Sequence, residues 1–198
     1  MDHSLTMKLD IPYYSQIRDV KNPEWKKRAC GVVTLLMVLK FFKKDITLSV
    51  DDLIIEGLAI NAHNEHGWIH DGLVALARNY GAHAYCQEFK SRLFDAVKKI
   101  MTIHPIEESL TEDGIKKIVE TLRSGAPVIA SVLGKFNENG EYHLVPLVGF
   151  EEKDGVVSGF YYHEPNAERE SEGAFQFVDI ATFRQFWRKF AIFIYEAE

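Results

Sequence analysis

The sequence predicts an α+β fold, with helices from the first half of the chain packed on an antiparallel β-sheet from the second. Three observations lead there. Helix-length apolar patterns and caps dominate residues 1–125, whereas residues 126–198 break into short β-branched and aromatic runs between turn residues. Helices followed by strands differ from the regular alternation that parallel βαβ units require. Asp154-Gly155, between two apolar runs, is a strong two-residue hairpin signal. No internal repeat interrupts the chain, so residues 1–198 are expected to form a single domain with a helical half (1–125) and a sheet half (126–198).

The elements follow in order. LDIPYYSQ reads as an extended start, because Pro12 keeps the residue before it out of the helical region. Residues 18–28 read as a polar loop. From Cys30 to about Lys43 the apolar residues cover nearly every face of a helical wheel, which marks a buried helix. Ser49 followed by Asp52 begins a capped helix that runs to about Ile60. Ile69–Tyr80 has helical spacing, with Gly81 as its C-terminal cap. AHAYCQEF reads as a strand, and residues 91–101 and 111–124 as two amphipathic helices. APVIASVL, YHLVPLVGFEE, VVSGFYYHE and AFQFVDI read as strands. A short helix over Ala181–Lys189 and a last strand, AIFIYEA, complete the chain.

Composition narrows the function. The chain has 198 residues, 46% hydrophobic and 26% charged, enough for a sizeable core. Its two cysteines, Cys30 and Cys86, do not make a disulfide framework. A net charge of -6 argues against general nucleic-acid binding. The amino-terminal segment has neither a basic nor an apolar signal region, and the apolar run Ala29–Phe42 is too short to cross a bilayer. A cytoplasmic protein with no membrane insertion is expected. The charge is uneven, with nine Lys or Arg against four Asp or Glu in residues 1–44. The basic group Lys21, Lys26, Lys27 and Arg28 reads first as a solvated loop. It would also suit steering of an acidic partner or support of a thiolate.

Cys30 is the candidate for chemistry. At the first turn of a buried helix, unpaired N–H groups and the helix dipole both favour a thiolate. The bland alternative is a small hydrophobe in the core. Such a nucleophile needs a base distant in sequence and near in space. Of eight histidines, His143 stands out because it begins the strand HLVPLVGF. If Asp154-Gly155 is a two-residue loop, His143 lies opposite Asn166 and Val145 opposite Glu164. His143, Glu164 and Asn166 then share one face, and His163 and Pro165 the other. Either Glu164 or Asn166 could orient the imidazole. A bulge at Ser158-Gly159 would break this register. Gln16 could add a side-chain amide beside the Cys30 N–H as an oxyanion donor.

Together these stretches resemble a C39-type cysteine peptidase domain of the papain-like superfamily. DIPYYSQ resembles the family's opening with its oxyanion glutamine. RACGVVTLLMVLKFF resembles its Cys-Gly and central helix, and GWIHDGLVALARNYGAHA its middle helix and strand. LRSGAPVIASV and EYHLVPLVGFEE resemble the strand before the histidine and the histidine strand, and YYHEPN the segment that usually reads Asp-Pro. The resemblance implies a papain-like fold, with Gln16 in the oxyanion hole, Cys30 as nucleophile and His143 as base. It departs at Glu164, where the family has Asp, with Asn166 as an alternative orienter, and at Val32, where the family favours Pro.

The implied function is peptide-bond hydrolysis through a thioester, with a peptide or protein as substrate and no cofactor or metal. An acyl transferase or amidase, and a catalytically silent binding domain, are the alternatives. His63, Glu65, His66, His70 and Asp71 resemble a metal cluster, but without an HExxH motif they read as a loop and helix cap. Cys86 reads as structural, and a Cys30–Cys86 disulfide would silence the site.

Overall fold

Cys30 opens helix α1 (Cys30–Phe42), in which every residue from Gly31 to Leu39 is buried. That burial explains the all-round apolar wheel, since this helix has no water-facing side over two turns. The computed structural model describes residues 4–95, 100–103, 107–138 and 140–197. Helices α2 (Val50–Ala59) and α3 (His70–Asn79) lie beside α1, and a small hairpin of β2 (His63–Asn64) and β3 (Gly67–Trp68) stands between them in sequence. The Ser49 side chain and the Asp52 carboxylate form the reciprocal capping box at the start of α2. The loop before α1 holds a 3-10 turn (Pro23–Trp25), and Asp51 of α2 accepts the Lys21 and Asn22 backbone N–H groups at 3.1 and 3.2 Å.

On the other side of α1 is a seven-stranded antiparallel sheet. Its strands are β1 (Ser4–Lys8), β4 (Ala82–Glu88), β7 (Val128–Leu133), β8 (Tyr142–Lys153), β9 (Val156–Tyr162), β10 (Gln176–Asp179) and β11 (Trp187–Glu196), in the order β10-β9-β8-β7-β11-β4. Strand β1 pairs with the second half of β8, where β7 no longer runs. His143 lies in the first half of β8, beside Val132 of β7. One turn into α1, the buried Thr34 hydroxyl donates to the Leu144 carbonyl at 3.0 Å. The helix that carries Cys30 is thereby tied to the strand that carries His143, at the residue beside it.

The β8–β9 hairpin keeps the expected pairing at Lys153↔Val156 and Glu152↔Val157. Ser158 then bulges, and Glu151 pairs with Gly159. A second irregularity, at Val148, restores the original register at Leu147↔Tyr162. One extra residue on each strand cancels the other, so the alternation predicted from the turn holds again near His143.

Several expectations are corrected. The described part of 91–101 is not a helix. Strands β5 (Arg92–Asp95) and β6 (Ile100–Ile103) pair antiparallel instead, and residues 96–99 lie outside the described residues. Phe94, Ile100, Thr102 and Ile103 favour strands, and over so short a span two strands can imitate a helical period. The helix expected at 111–124 begins a turn earlier, as α4 (Glu107–Arg123). After a single helical turn, α5 (Glu170–Gly173), the helix expected over Ala181–Lys189 ends sooner, as α6 (Ile180–Phe186), because Trp187 enters the sheet opposite Val132 with its indole buried. A strand, Ser4–Lys8, precedes LDIPYYSQ, and Gln16, expected in the extended segment, begins a turn. Among the described residues no helix is long and apolar enough to cross a membrane.

Candidate active site

Cys30 is the first residue of α1 and is half-buried. The first N–H groups of a helix have no acceptor within it. Ala29, at the cap, supplies no side-chain acceptor either. The helix start therefore presents donors and positive dipole next to the sulfur. Trp68 holds this end in place. Its indole N–H donates to the Arg28 carbonyl at 2.7 Å, and a methyl added at Gly31 would meet Trp68 Cβ and Cγ at 2.8 Å. A glycine after the cysteine is thus required by the close approach of Trp68.

His143 reaches the same place from β8. Its Nε2 lies 2.8 Å from Glu164 Oε1. With Nε2 committed there, Nδ1 is left for the Cys30 side. The Glu164 side chain is almost fully buried and also accepts the Asn166 backbone N–H at 2.8 Å. Burial works against the imidazolium. The hydrogen bond with Cys30, then that with Glu164, and the negative charge of both outweigh it, and the His143 pKa is raised to about 10. Burial likewise opposes ionisation of Glu164, but His143 and the Asn166 N–H hold its pKa below the usual carboxylate value.

Gln16 arrives through segment docking. The Tyr13 hydroxyl lies 2.9 Å from the carbonyl oxygens of both Glu164 and Ala167. Ser15 Oγ donates to the Ala167 carbonyl at 2.6 Å, and the Gln16 N–H to the Pro165 carbonyl at 2.8 Å. PYYSQ is thus zipped onto the EPNA turn. The Gln16 side chain donates to Asn166 Oδ1 at 3.1 Å. A single turn, Glu164 to Asn166, therefore contacts both His143 and Gln16. The two alternatives for the orienter resolve into different contacts: the Glu164 side chain touches the imidazole, and the Asn166 side chain touches Gln16. The double contact of Asn166 had no signal in the sequence.

The remaining candidates make contacts of their own, although His63, Glu65, His66 and His70 line the same cleft as Cys30 and His143. His163 points the other way, as alternation predicts, and is fully buried. It accepts the Phe175 N–H on Nδ1 and binds the Ile11 carbonyl through Nε2, both at 3.0 Å. His63 packs edge-on against Trp25 and Trp68, His66 pairs with Glu65 on the surface at 3.6 Å, and His70 stacks on Phe190. Among the described residues no three His, Cys, Asp or Glu side chains converge as a metal site. Cys86 is a free thiol, 3.1 Å from Asp71 Oδ1, and burial followed by that carboxylate raises its pKa to about 11.

Cys30 and His143 open into a cleft of about 590 Å³. Its walls include Trp68, Arg28, Tyr142 and Arg188. Arg188 was not anticipated, because nothing in the sequence signals that a bulge carries it there.

The model of the Peptidase C39 like family matches residues 8–192. No curated protein matches the sequence. Among solved structures, a putative C39-like peptidase from Bacillus anthracis is 16% identical, covers 97% of this chain and 100% of its own, and has a TM-score of 0.60. The peptidase domain of Streptococcus ComA, a bifunctional ABC transporter, is 16% identical over 93% of this chain and 99% of its own, with a TM-score of 0.55. A double glycine motif protease from an AMS/PCAT transporter, solved with its leader peptide, is 17% identical over 96% and 94%, with a TM-score of 0.51. At these identities the likeness is one of fold, and it agrees with a papain-like arrangement of helices and antiparallel sheet.

Proposed function

Because this chain belongs to the Peptidase C39 like family, we propose that it is a cysteine peptidase whose residues 1–198 act as one domain on a peptide or protein substrate. The observation that carries the reading is the coupling of His143 to both Cys30 and Glu164, which raises the imidazole pKa to about 10. An imidazolium held beside a cysteine favours the thiolate as nucleophile.

In the reaction the Cys30 sulfur attacks the substrate carbonyl carbon. The C–S bond forms as the carbonyl π pair moves to oxygen. The Cys30 N–H at the start of α1 and the Gln16 side-chain amide stabilise that oxyanion. Collapse breaks the C–N bond, and His143 gives its Nδ1 proton to the leaving amine. The neutral imidazole then takes a proton from water, and the hydroxide attacks the thioester. The second collapse releases the acid and the thiolate, and the imidazolium is restored. Glu164 stays ionised throughout and fixes the ring through Nε2. Glutamate fills the usual aspartate position because the turn and the Asn166 N–H hold its longer side chain.

The test is Cys30 alkylation by iodoacetamide against pH, in wild type and His143→Ala, alongside cleavage of a peptide library with Cys30→Ala as control. Rapid alkylation near neutral pH that is lost in His143→Ala, together with Cys30-dependent cleavage, is the expected result. A Cys30 that reacts like a free thiol, titrating near pH ~8.5, returns the chain to a silent binding domain.

A further inference from the structure

His163 is fully buried, and the reaction makes no use of it. It follows directly on β9, and its ring is the meeting point of three segments. Nε2 lies 3.0 Å from the Ile11 carbonyl, at the head of PYYSQ. Nδ1 accepts the Phe175 N–H at 3.0 Å. A carbonyl only accepts and a backbone N–H only donates, so the ring is neutral with its proton on Nε2. The Tyr13 and Phe175 rings close it edge-on, with centroids at 5.7 and 4.7 Å.

Both partners of the ring lead to the site. Ile11 begins the segment that ends at Gln16. Two residues before Phe175, the Gly173 carbonyl accepts the Glu164 N–H at 2.7 Å, and Gly173 packs so tightly on Tyr13 that an added methyl would collide with the phenol oxygen. Phe175 has a left-handed φ of 50, costly for a residue with a side chain, so its release from His163 relieves strain. Burial holds the His163 pKa below the ordinary 6.5, against the Ile11 and Tyr162 carbonyls and the Glu170 carboxylate, which favour the cation. Tyr13 is uncharged, since burial raises its pKa to about 12. The Glu164 carboxylate is turned to His143, and Lys8 of β1 reaches the Phe175 ring at 5.7 Å. A proton on Nδ1 would set N–H against N–H in a closed site, which leaves buried donors unpaired.

We propose that His163 is a positioning residue of the site: its neutral ring clamps the Gln16 segment and the Gly173–Phe175 return onto the Glu164 turn, and a proton on Nδ1 opens the clamp as the pH falls below neutral. Its effect on turnover rests on the peptidase reading, whereas the clamp itself is measured without substrate. The closed clamp excludes the proton, and the open one takes it with the ordinary pKa. Opening therefore gains about tenfold for each pH unit below ~6.5, until the ring titrates in the closed form.

The test is amide hydrogen exchange of the wild-type protein between pH ~7 and ~5, corrected for intrinsic rates, at Gln16 and Phe175, with Ile129 of the sheet core as reference. The window lies above the Glu164 titration, which is held below the ordinary 4.5. Protection of Gln16 and Phe175 should fall about tenfold per pH unit below ~6.5. Their exchange should be faster than that of Ile129 and insensitive to low urea, as local opening requires. His163→Asn keeps an acceptor for the Phe175 N–H and does not titrate, so its protection should not vary with pH. His63→Gln should behave as wild type, because His63 packs on Trp25 and Trp68 instead. In peptide cleavage, kcat should fall over the same range in wild type and much less in His163→Asn. Gln16 protection that does not change with pH in wild type overturns the proposal, whether or not any peptide is cleaved. Gln16 exchange that matches Ile129 in rate and urea dependence overturns it too, since the ring would then serve only the global fold. An acid loss of kcat that is the same in wild type and His163→Asn also overturns it. A clamp that opens as expected in a protein that cleaves no peptide supports the positioning of Gln16 by His163 and defeats the peptidase reading alone.

Discussion

Glu164 Oε1 lies 2.8 Å from His143 Nε2, across a hairpin whose two irregularities, at Ser158 and Val148, cancel. The pair is nearly buried, so each partner sets the charge of the other.

Glu164→Gln keeps the shape of the acceptor and removes its charge. The His143 pKa should fall from about 10 toward its ordinary value, and the alkaline limb of peptide cleavage, which needs the imidazolium, should fall with it. Peptide turnover should drop by about 10- to 100-fold. A His143 titration by NMR that matches wild type would show that Glu164 does not hold the ring.

Stability should vary with pH in a definite sense. The folded His143 pKa is raised above 6.5, to about 10. Its contribution is complete below pH ~6.5 and is lost as pH rises through ~10. Glu164, held below its ordinary value, contributes in the opposite sense, and its share is lost as pH falls through its folded pKa. Urea unfolding at pH 7 and pH 10 should show the alkaline loss in wild type and much less of it in His143→Gln. Equal slopes in the two proteins would contradict the prediction.

Asn166 should act through Gln16. Gln16→Ala removes an oxyanion donor and should cost about 100- to 1,000-fold in kcat. Asn166→Ala leaves that donor unguided and should cost about tenfold, with less than additive loss in the double variant. The pH profile should stay that of wild type, since Glu164 still holds His143. A profile displaced in Asn166→Ala would instead place its side chain in control of the base.

Gly31→Ala and Gly57→Ala both press on Trp68, at different places. A methyl at Gly31 meets Cβ at 2.8 Å, whereas one at Gly57 meets the ring edge at 2.5 Å. Each should destabilise by about 1–3 kcal/mol, the usual cost of overpacking. Only Gly31→Ala pushes on the root of the side chain beside Cys30, so only it should slow alkylation of the folded protein. Equal alkylation rates would mean that Trp68 packs without positioning the thiol.

Some of this could be read from residues in a row. The apolar wheel of Val32–Leu39 marks a helix without a wet face, and Ser49 with Asp52 announces its own cap. Asp154-Gly155 sets the start of a hairpin because its geometry is local. Periodicity failed at Arg92–Ile103, where two short strands mimic a helical turn count. It failed again at Trp187, where burial in the sheet overrides the helical pattern that precedes it.

The sequence by itself determined the α+β order, the identity of the candidate residues and the face that His143 shares with Glu164. Local chemistry suffices for those, since caps, turns and alternation act within a few residues. Only the tertiary structure decided that Glu164 contacts the imidazole and Asn166 contacts Gln16, because that division depends on PYYSQ docking onto residues about 150 positions away. It also decided that Arg188 faces the cleft. A bulge arises from the fit between two strands and a buried indole, and no single stretch of the chain contains both.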